Sequence, residues 1–448
     1  MKTNKINRIS LTALLAGSLF FSAQIQGDSF PEDFIAQAKE FVDFLTKQDF
    51  AKAVENFDSV MTKAMPEEKL KEVWQAVIRQ AGPFKKQKGI RTETLPKFDI
   101  VYVICEFEKG NLDVKVVFNR EKQITGLWFA PAQKEYTAPD YVQLSSFNEK
   151  EVVVGSGEWA LPGILTLPAR KETFPAVVLV HGSGPNDRDE SIGPNKPFRD
   201  LAWGLASRGI AVLRYEKRTK AHGRKLKDFK GNFTVKEETI DDALAAVELL
   251  RNVERIDGQK IFVLGHSLGG MLIPRIGLRD PDIAGFIILA GATRSAEEAI
   301  LEQTSYIIML DGKTTEIEKI RLKEIQETVE KIRNLRESGA PPEKENLLGA
   351  PPEYWLDLRD YVPPVTAKRL KQPMLILQGG RDYQVTEKDF ENWKKSLSSR
   401  QNVILRLYPD LNHLFIAGKG KPSPAEYSRA GHVDRQVIDD IAAWIKNN

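Results

Sequence analysis

The sequence predicts an α/β fold: a mostly parallel sheet with helices on both faces and a helical cap insert, preceded by a small α+β unit. Three observations predict it. From about residue 150, short and continuously apolar runs alternate with amphipathic helical stretches, the order of parallel strands joined by crossover helices. Residues 30–131 show helical spacing first and period-two alternation afterwards. Pro131 to Pro139 is polar and proline-punctuated, so that 132–150 reads as a linker to the unit at 151–448. A length of 448 residues suits two or three domains at about 150 residues each.

The elements follow in order. Residues 1–27 read as an export signal: Lys2, Lys5 and Arg8 precede an apolar run from Ile9 to Phe21. That run matches the core of a secretory signal and is short of the roughly 20 residues a membrane span needs. Export places the protein in the periplasm or outside the cell, with an uncleaved anchor as the alternative. Small residues at Ala23 and Gly27 offer cleavage sites. Next, Phe34, Ala38, Phe41, Val42 and Leu45 recur at helical spacing, as do Val54, Phe57 and Val60, then Val73, Trp74 and Val77. From residue 98 the period is two, with strands over 100–104, 112–118 and 124–129. In the larger unit, strands are expected over 152–155, 163–167, 176–180, 210–213, 261–264, 286–289, 374–377 and 403–407, with a closing helix over 437–445. The insert, 293–365, is helical, charged and broken by three Pro-Pro pairs. Its place between two buried strands makes it a candidate lid over the sheet's C-terminal edge.

Composition narrows the chemistry. With 42% hydrophobic and 28% charged residues, global disorder is excluded. A net charge of +3 from 65 basic and 62 acidic residues gives no electrostatic footprint for nucleic acid. Cys105 is the single cysteine, which excludes a multi-cysteine zinc site; in a strand pattern it reads as a small buried residue. No metal or cofactor is implied. Histidine chemistry has five candidates: His181, His222, His266, His413 and His432.

The strand over 261–264 runs into Gly265-His266-Ser267-Leu268-Gly269-Gly270, and helical sequence follows. A G-x-S-x-G at a strand-to-helix turn exposes a serine hydroxyl at a helix N-terminus, where N–H groups favour developing negative charge. Ser267 is therefore the candidate nucleophile. Serine needs a base, and the chain order serine, acid, histidine leaves His413 and His432. His413 follows the last buried strand and can reach the sheet edge; His432, at the start of the closing helix, reads as a surface or capping residue. Asp382 follows the strand over 374–377 through Gly379-Gly380 and is the candidate acid, with Asp410 as its rival. The oxyanion donors are expected to be the N–H of Leu268 and that of Ser183, with Gly182 as the alternative to Ser183. His181 is expected to fix that loop by a local hydrogen bond. The charged run Asn186 to Glu190 reads as solvated or internally paired, or alternatively as an edge of the substrate site.

These residues resemble the α/β-hydrolase superfamily. The run His181 to Glu190, Arg214-Tyr215-Glu216-Lys217-Arg218, and GHSLGG at 265–270 look like bacterial serine carboxylesterases of the EstD type. The resemblance covers roughly 140–448 and implies the triad Ser267, Asp382 and His413. Thr219-Lys220-Ala221 departs from the glycine-rich continuation of many relatives. The block ending Gly126-Leu127-Trp128-Phe129-Ala130-Pro131 resembles small domains of the nuclear-transport-factor-2-like kind and is assigned no chemistry. The expected function is hydrolysis of a small-molecule carboxylic ester through an acyl-enzyme. A peptidase, thioesterase or acyltransferase would use the same machinery, and a non-catalytic binding protein would need none of it.

Overall fold

Strand residues of the larger unit alternate between two buried faces, and that alternation decides where its helices pack. The computed structural model describes residues 32–95, 98–132, 136–227, 233–335 and 346–448. The expected export signal lies outside the described residues, as do residues 133–135 of the expected linker.

The N-terminal unit packs the helices Glu32–Thr46, Phe50–Val54, Ser59–Ala64 and Glu67–Ala81 against an antiparallel sheet. Its strands β1 (Phe84–Leu95), β2 (Phe98–Phe107), β3 (Gly110–Phe118) and β4 (Ile124–Pro131) lie in chain order. Val101, Val103, Cys105 and Phe107 from alternate positions of β2 join Phe41, Leu45 and Trp74 in one core. Burial, with the nearby Asp113 and Asp43 carboxylates, pushes the Cys105 thiol up to about 12, so it is a packing residue. β1 is an addition to the expected strands. It carries Lys85, Lys86, Lys88, Arg91 and Glu93, a charge density that hides its apolar alternation but suits an edge strand. Two register shifts where it pairs with β2 interrupt the period further.

The larger sheet has β5 (Phe147–Val154), β6 (Leu161–Pro168), β7 (Phe174–Val180), β8 (Ala211–Tyr215), β9 (Ile256–His266), β10 (Gly285–Leu289), β11 (Met374–Gly379) and β12 (Val403–Tyr408). Their spatial order is β12-β11-β10-β9-β7-β8-β6-β5. β6 runs against both of its neighbours, β5 and β8; the pairs from β8 across to β12 are parallel. β5 begins inside the stretch read as linker, and Tyr141 of that stretch donates its hydroxyl to the Val433 carbonyl at 2.7 Å. Val178, Val263, Phe286 and Ile288 face the helices Asp241–Arg251 and Leu268–Arg279. Val177, Leu179, Phe262 and Leu264 face Pro197–Ala206 and Arg435–Asn447.

Between β10 and β11 the insert forms the helices Ala296–Ile308, Glu316–Arg333, Pro352–Leu358 and Pro363–Ala367. It is fastened to the sheet unit at several points. Arg294 pairs with the buried Asp389 at 2.7 Å, Arg275 with Asp357 at 2.8 Å, and Tyr361 donates to the Met271 carbonyl at 2.7 Å. Among the described residues no helix is long and apolar enough to cross a membrane.

Phe286 is fully buried near the centre of the sheet. Phe286→Ala is expected to cost about 3–5 kcal/mol, from lost transfer energy and the cavity left behind. Urea denaturation checks this; an unshifted midpoint would show that the site collapses without loss.

Candidate active site

Four loops at the C-terminal edge of the parallel strands carry the candidate residues. The turn after β9 is the tightest. Ser267 has φ 53°, a left-handed conformation that a non-glycine residue holds only where its surroundings impose it. Its N–H donates to the Leu289 carbonyl at 2.9 Å, which ties the turn to the end of β10. A Cβ at Gly265 would collide with the Gly269 backbone, and one at Gly269 with the Val180 carbonyl. These glycines let β9 enter its helix beside β7. Leu268 is the first residue of that helix, so its N–H has no intrahelical acceptor.

The loop after β11 brings Asp382 to the loop after β12, which carries His413. Asp382 Oδ2 lies 2.6 Å from His413 Nδ1. Oδ1 accepts the N–H groups of Gln384 at 2.8 Å and Val385 at 3.0 Å, and Oδ2 also takes the Gln378 amide at 3.3 Å. A carboxylate so engaged on both oxygens is fixed in direction. It accepts, so His413 Nδ1 carries the proton and Nε2 is left as the basic nitrogen. Asp410, the rival acid, is exposed. His432 sits just before its helix and faces the buried Asp200 at 3.1 Å, and His222 lies 2.9 Å from the Ala160 carbonyl.

The loop after β7 carries Gly182, Ser183 and the charged run. Gly182 donates its N–H to Glu190 Oε1 at 2.6 Å, and its Cα stands so close to the turn that an added Cβ would lie 3.1 Å from Ser267 Cβ. Ser183 and Ser267 line the same cavity. His181 Nε2 lies 3.0 Å from the Asp187 carbonyl, the local bond expected of it. Burial holds its imidazole down to about 4, so it is the neutral ring that donates. The charged run is internally paired: Arg188 meets Glu216 at 2.7 Å, Asp189 meets the buried Arg214, and Glu190 meets His266 at 2.9 Å. None of Asn186 to Glu190 lines the cavity.

That last pair went unread in the sequence. His266 lies between Glu190 and the His413 loop: Nδ1 faces Glu190 Oε2, and Nε2 donates to the His413 carbonyl at 2.9 Å. The two imidazoles lie 4.6 Å apart. Glu190 thus touches the loop after β7 with one oxygen and the turn after β9 with the other. Burial alone would push its carboxyl up and the His266 imidazole down. The facing opposite charges outweigh burial, leaving Glu190 below its ordinary value and His266 above it. The available signal was a histidine placed inside the turn itself, where a solvated ring has no room.

A cavity of about 60 Å³ opens beside Ser267. Leu268 and Met271 form one wall, and the insert supplies Ala296, Ile300, Gln303 and Trp355 to the other. No charged side chain is among its lining residues. Among the described residues, no group of three or more His, Cys, Asp and Glu side chains is arranged to hold a metal ion.

The Glu190–His266 pair has a pH signature. His266 holds in the fold a proton that the unfolded chain releases near pH 6.5. Its stabilisation is complete below that pH and fades as pH rises through the higher folded value. The thermal-midpoint gap between wild type and His266→Gln is therefore expected to be larger at pH 6 than at pH 9. Equal gaps at the two pH values would mean that the ring contributes packing and no charge.

The chain is similar to several known proteins. A family model described as "Serine aminopeptidase, S33" matches residues 172–418, and one described as "Protein of unknown function (DUF3887)" matches residues 38–127. Esterase EstD of Thermotoga maritima is 42% identical over 429 residues, covering 96% of this chain and 98% of that protein. Among solved structures, Est1E from Butyrivibrio proteoclasticus has a TM-score of 0.41 at 15% identity, covering 66% of this chain and 96% of its own. The acylaminoacyl peptidase of Pyrococcus horikoshii has a TM-score of 0.47 at 15% identity, covering 81% of this chain and 55% of its own. With its identity to esterase EstD spanning nearly the whole of both chains, this protein belongs to the α/β-hydrolase enzymes of the esterase EstD family.

Proposed function

We propose that the protein hydrolyses carboxylic esters through an acyl-enzyme formed on Ser267. The observation that carries the proposal is the fixed Asp382–His413 pair, 2.6 Å apart, with the His413 carbonyl accepting from His266, the residue next to Ser267. His413 Nε2 takes the Ser267 proton as Oγ attacks the ester carbonyl, and the ring is held as an imidazolium by Asp382. The tetrahedral oxyanion is received by the N–H groups of Leu268 and Ser183. Ser183 is favoured over Gly182 because the Gly182 N–H is already committed to Glu190. Collapse returns the proton from His413 to the leaving alcohol. Water, deprotonated by the same nitrogen, then releases the acid and restores Ser267.

An ester is favoured over a peptide by the cavity. A peptidase that trims chain ends needs a charged anchor for the terminal amine or carboxylate, and the lining residues offer none. An uncharged acyl or alcohol arm suits that wall, and its size favours short arms.

Short p-nitrophenyl esters are expected to be turned over, with Ser267→Ala losing at least about 10³-fold in kcat and Asp382→Asn a loss of similar order. A fluorophosphonate probe is expected to label the wild type once and Ser267→Ala not at all. Labelling or turnover that survives in a folded Ser267→Ala protein would remove Ser267 as the nucleophile.

A further inference from the structure

We propose that the buried ammonium of Lys217 is the positioning group of the oxyanion hole: by holding the Gly182 carbonyl, it directs and polarises the Ser183 N–H at the other end of the same peptide. The proposal rests on the esterase reading above, in which that N–H receives the oxyanion, and adds the residue that sets the donor.

Lys217 follows β8 in the run Arg214 to Arg218, and its side chain is 2% exposed. Nζ donates to the Gly182 carbonyl at 2.7 Å and lies 3.1 Å from Glu238 Oε1. Glu238 Oε2 accepts the Tyr354 hydroxyl at 2.6 Å. Tyr354 belongs to the insert and lines the cavity beside Ser267, whereas Lys217 does not line it. A cation is expensive to bury unless its partners repay the loss of water, and packing alone would be served as well by Met. The ammonium is instead spent on one carboxylate and on the one backbone carbonyl that precedes Ser183.

The carbonyl and the N–H of a trans peptide point to opposite sides of the chain, and no peptide among the described residues is cis. Drawing the Gly182 oxygen toward Lys217 therefore turns the Ser183 N–H away from it. Ser183 and Ser267 line the same cavity, and a Cβ added at Gly182 would lie 3.6 Å from Ser267 Oγ. Among the described residues the Ser183 N–H has no acceptor, while the Gly182 N–H is held by Glu190. A cation on the carbonyl oxygen draws electron density through the amide and makes its N–H the stronger donor. A donor fixed before the reaction needs no reorganisation as the charge develops. The loop has other ties. Asn186 Nδ2 donates to the Gly182 carbonyl at 3.2 Å and to the Ser183 carbonyl at 3.1 Å, and the Lys217 backbone N–H donates to the Asn186 carbonyl at 3.1 Å. Removing the ammonium alone therefore acts on the peptide's charge and aim and leaves these ties to the loop.

The test uses Lys217→Met and the pair Lys217→Met/Glu238→Gln, which leaves no unpaired carboxylate in the interior and carries the comparison if the single variant does not fold. Each is titrated with a short-chain trifluoromethyl ketone and with its methyl ketone counterpart. Ser267 Oγ bonds to the carbonyl carbon of the fluorinated ketone, its proton passes to His413, and the carbonyl oxygen becomes the oxyanion; the methyl ketone stays unadded. The kcat for short p-nitrophenyl esters is expected to fall about 30-fold and the inhibition constant of the fluorinated ketone to rise by a similar factor. KM and the inhibition constant of the methyl ketone are expected to stay within about twofold. Unchanged kcat and unchanged fluorinated-ketone binding in a folded variant overturn the proposal. So does equal weakening of the two ketones, which is what a lysine that only packs the site would give. A wild type that binds both ketones alike, or a Ser267→Ala protein that keeps the difference, overturns the hydrolase reading and this proposal with it. A difference that depends on Ser267 and not on Lys217 overturns this proposal alone.

Discussion

The structure depends on a backbone crossing too tight for side chains. Where β9 turns into the helix that follows Ser267, Gly265 lies on Gly269 and Gly269 on the carbonyl of Val180. Strands β7 and β9 can be parallel neighbours, and still have the helix leave between them, only because two residues lack a Cβ. The left-handed backbone of Ser267 is the other half of the same turn. Strain recurs along this edge: Glu190, Ala290 and Phe415 also have positive φ, and each lies in a loop after a parallel strand. The packed sheet below, with Val178, Val263, Phe286 and Ile288 on one face, over-determines these conformations and keeps them from relaxing.

Buried charge does for the loops what the crossing does for the turn. Glu190 holds Gly182 with one oxygen and faces His266 with the other, and His266 in turn holds the carbonyl of His413. Three loops from distant parts of the chain are thereby tied in series. Arg214, fully buried between Asp189 and Glu149, extends the same scheme toward the sheet edge at β5. Removing one member of such a set leaves an uncompensated charge out of water, which costs far more than the pair contributes when whole.

Most of this was legible in the sequence where a single physical signal dominated. Runs such as Ala176 to Val180 and Phe286 to Leu289 are apolar because both faces are covered, and they are strands in the structure. Asp382 could be placed because a glycine turn follows its strand, and it does meet His413. Two kinds of feature were not legible. β1 reads as a charged segment because it is an edge strand, whose outward charges mask its alternation. Glu190 and His266 were hidden for the opposite reason. Nothing in the local sequence separates a charge that faces water from one that faces a buried partner 76 positions away, and only tertiary packing does so. Gln303 is of the same type, a glutamine on a polar insert whose burial comes from what the insert covers.

The insert is continuous in sequence, whereas the candidate residues are scattered over loops from four strands. Its helices give the cavity Ala296, Ile300, Gln303, Tyr354 and Trp355, yet none of Ser267, Asp382 and His413 belongs to it. Inheritance can therefore act on the two separately. Replacing or recombining one uninterrupted stretch between β10 and β11 would exchange that wall of the cavity in a descendant while the candidate residues stayed the same. A scattered set of candidate residues, by contrast, cannot be exchanged in one event.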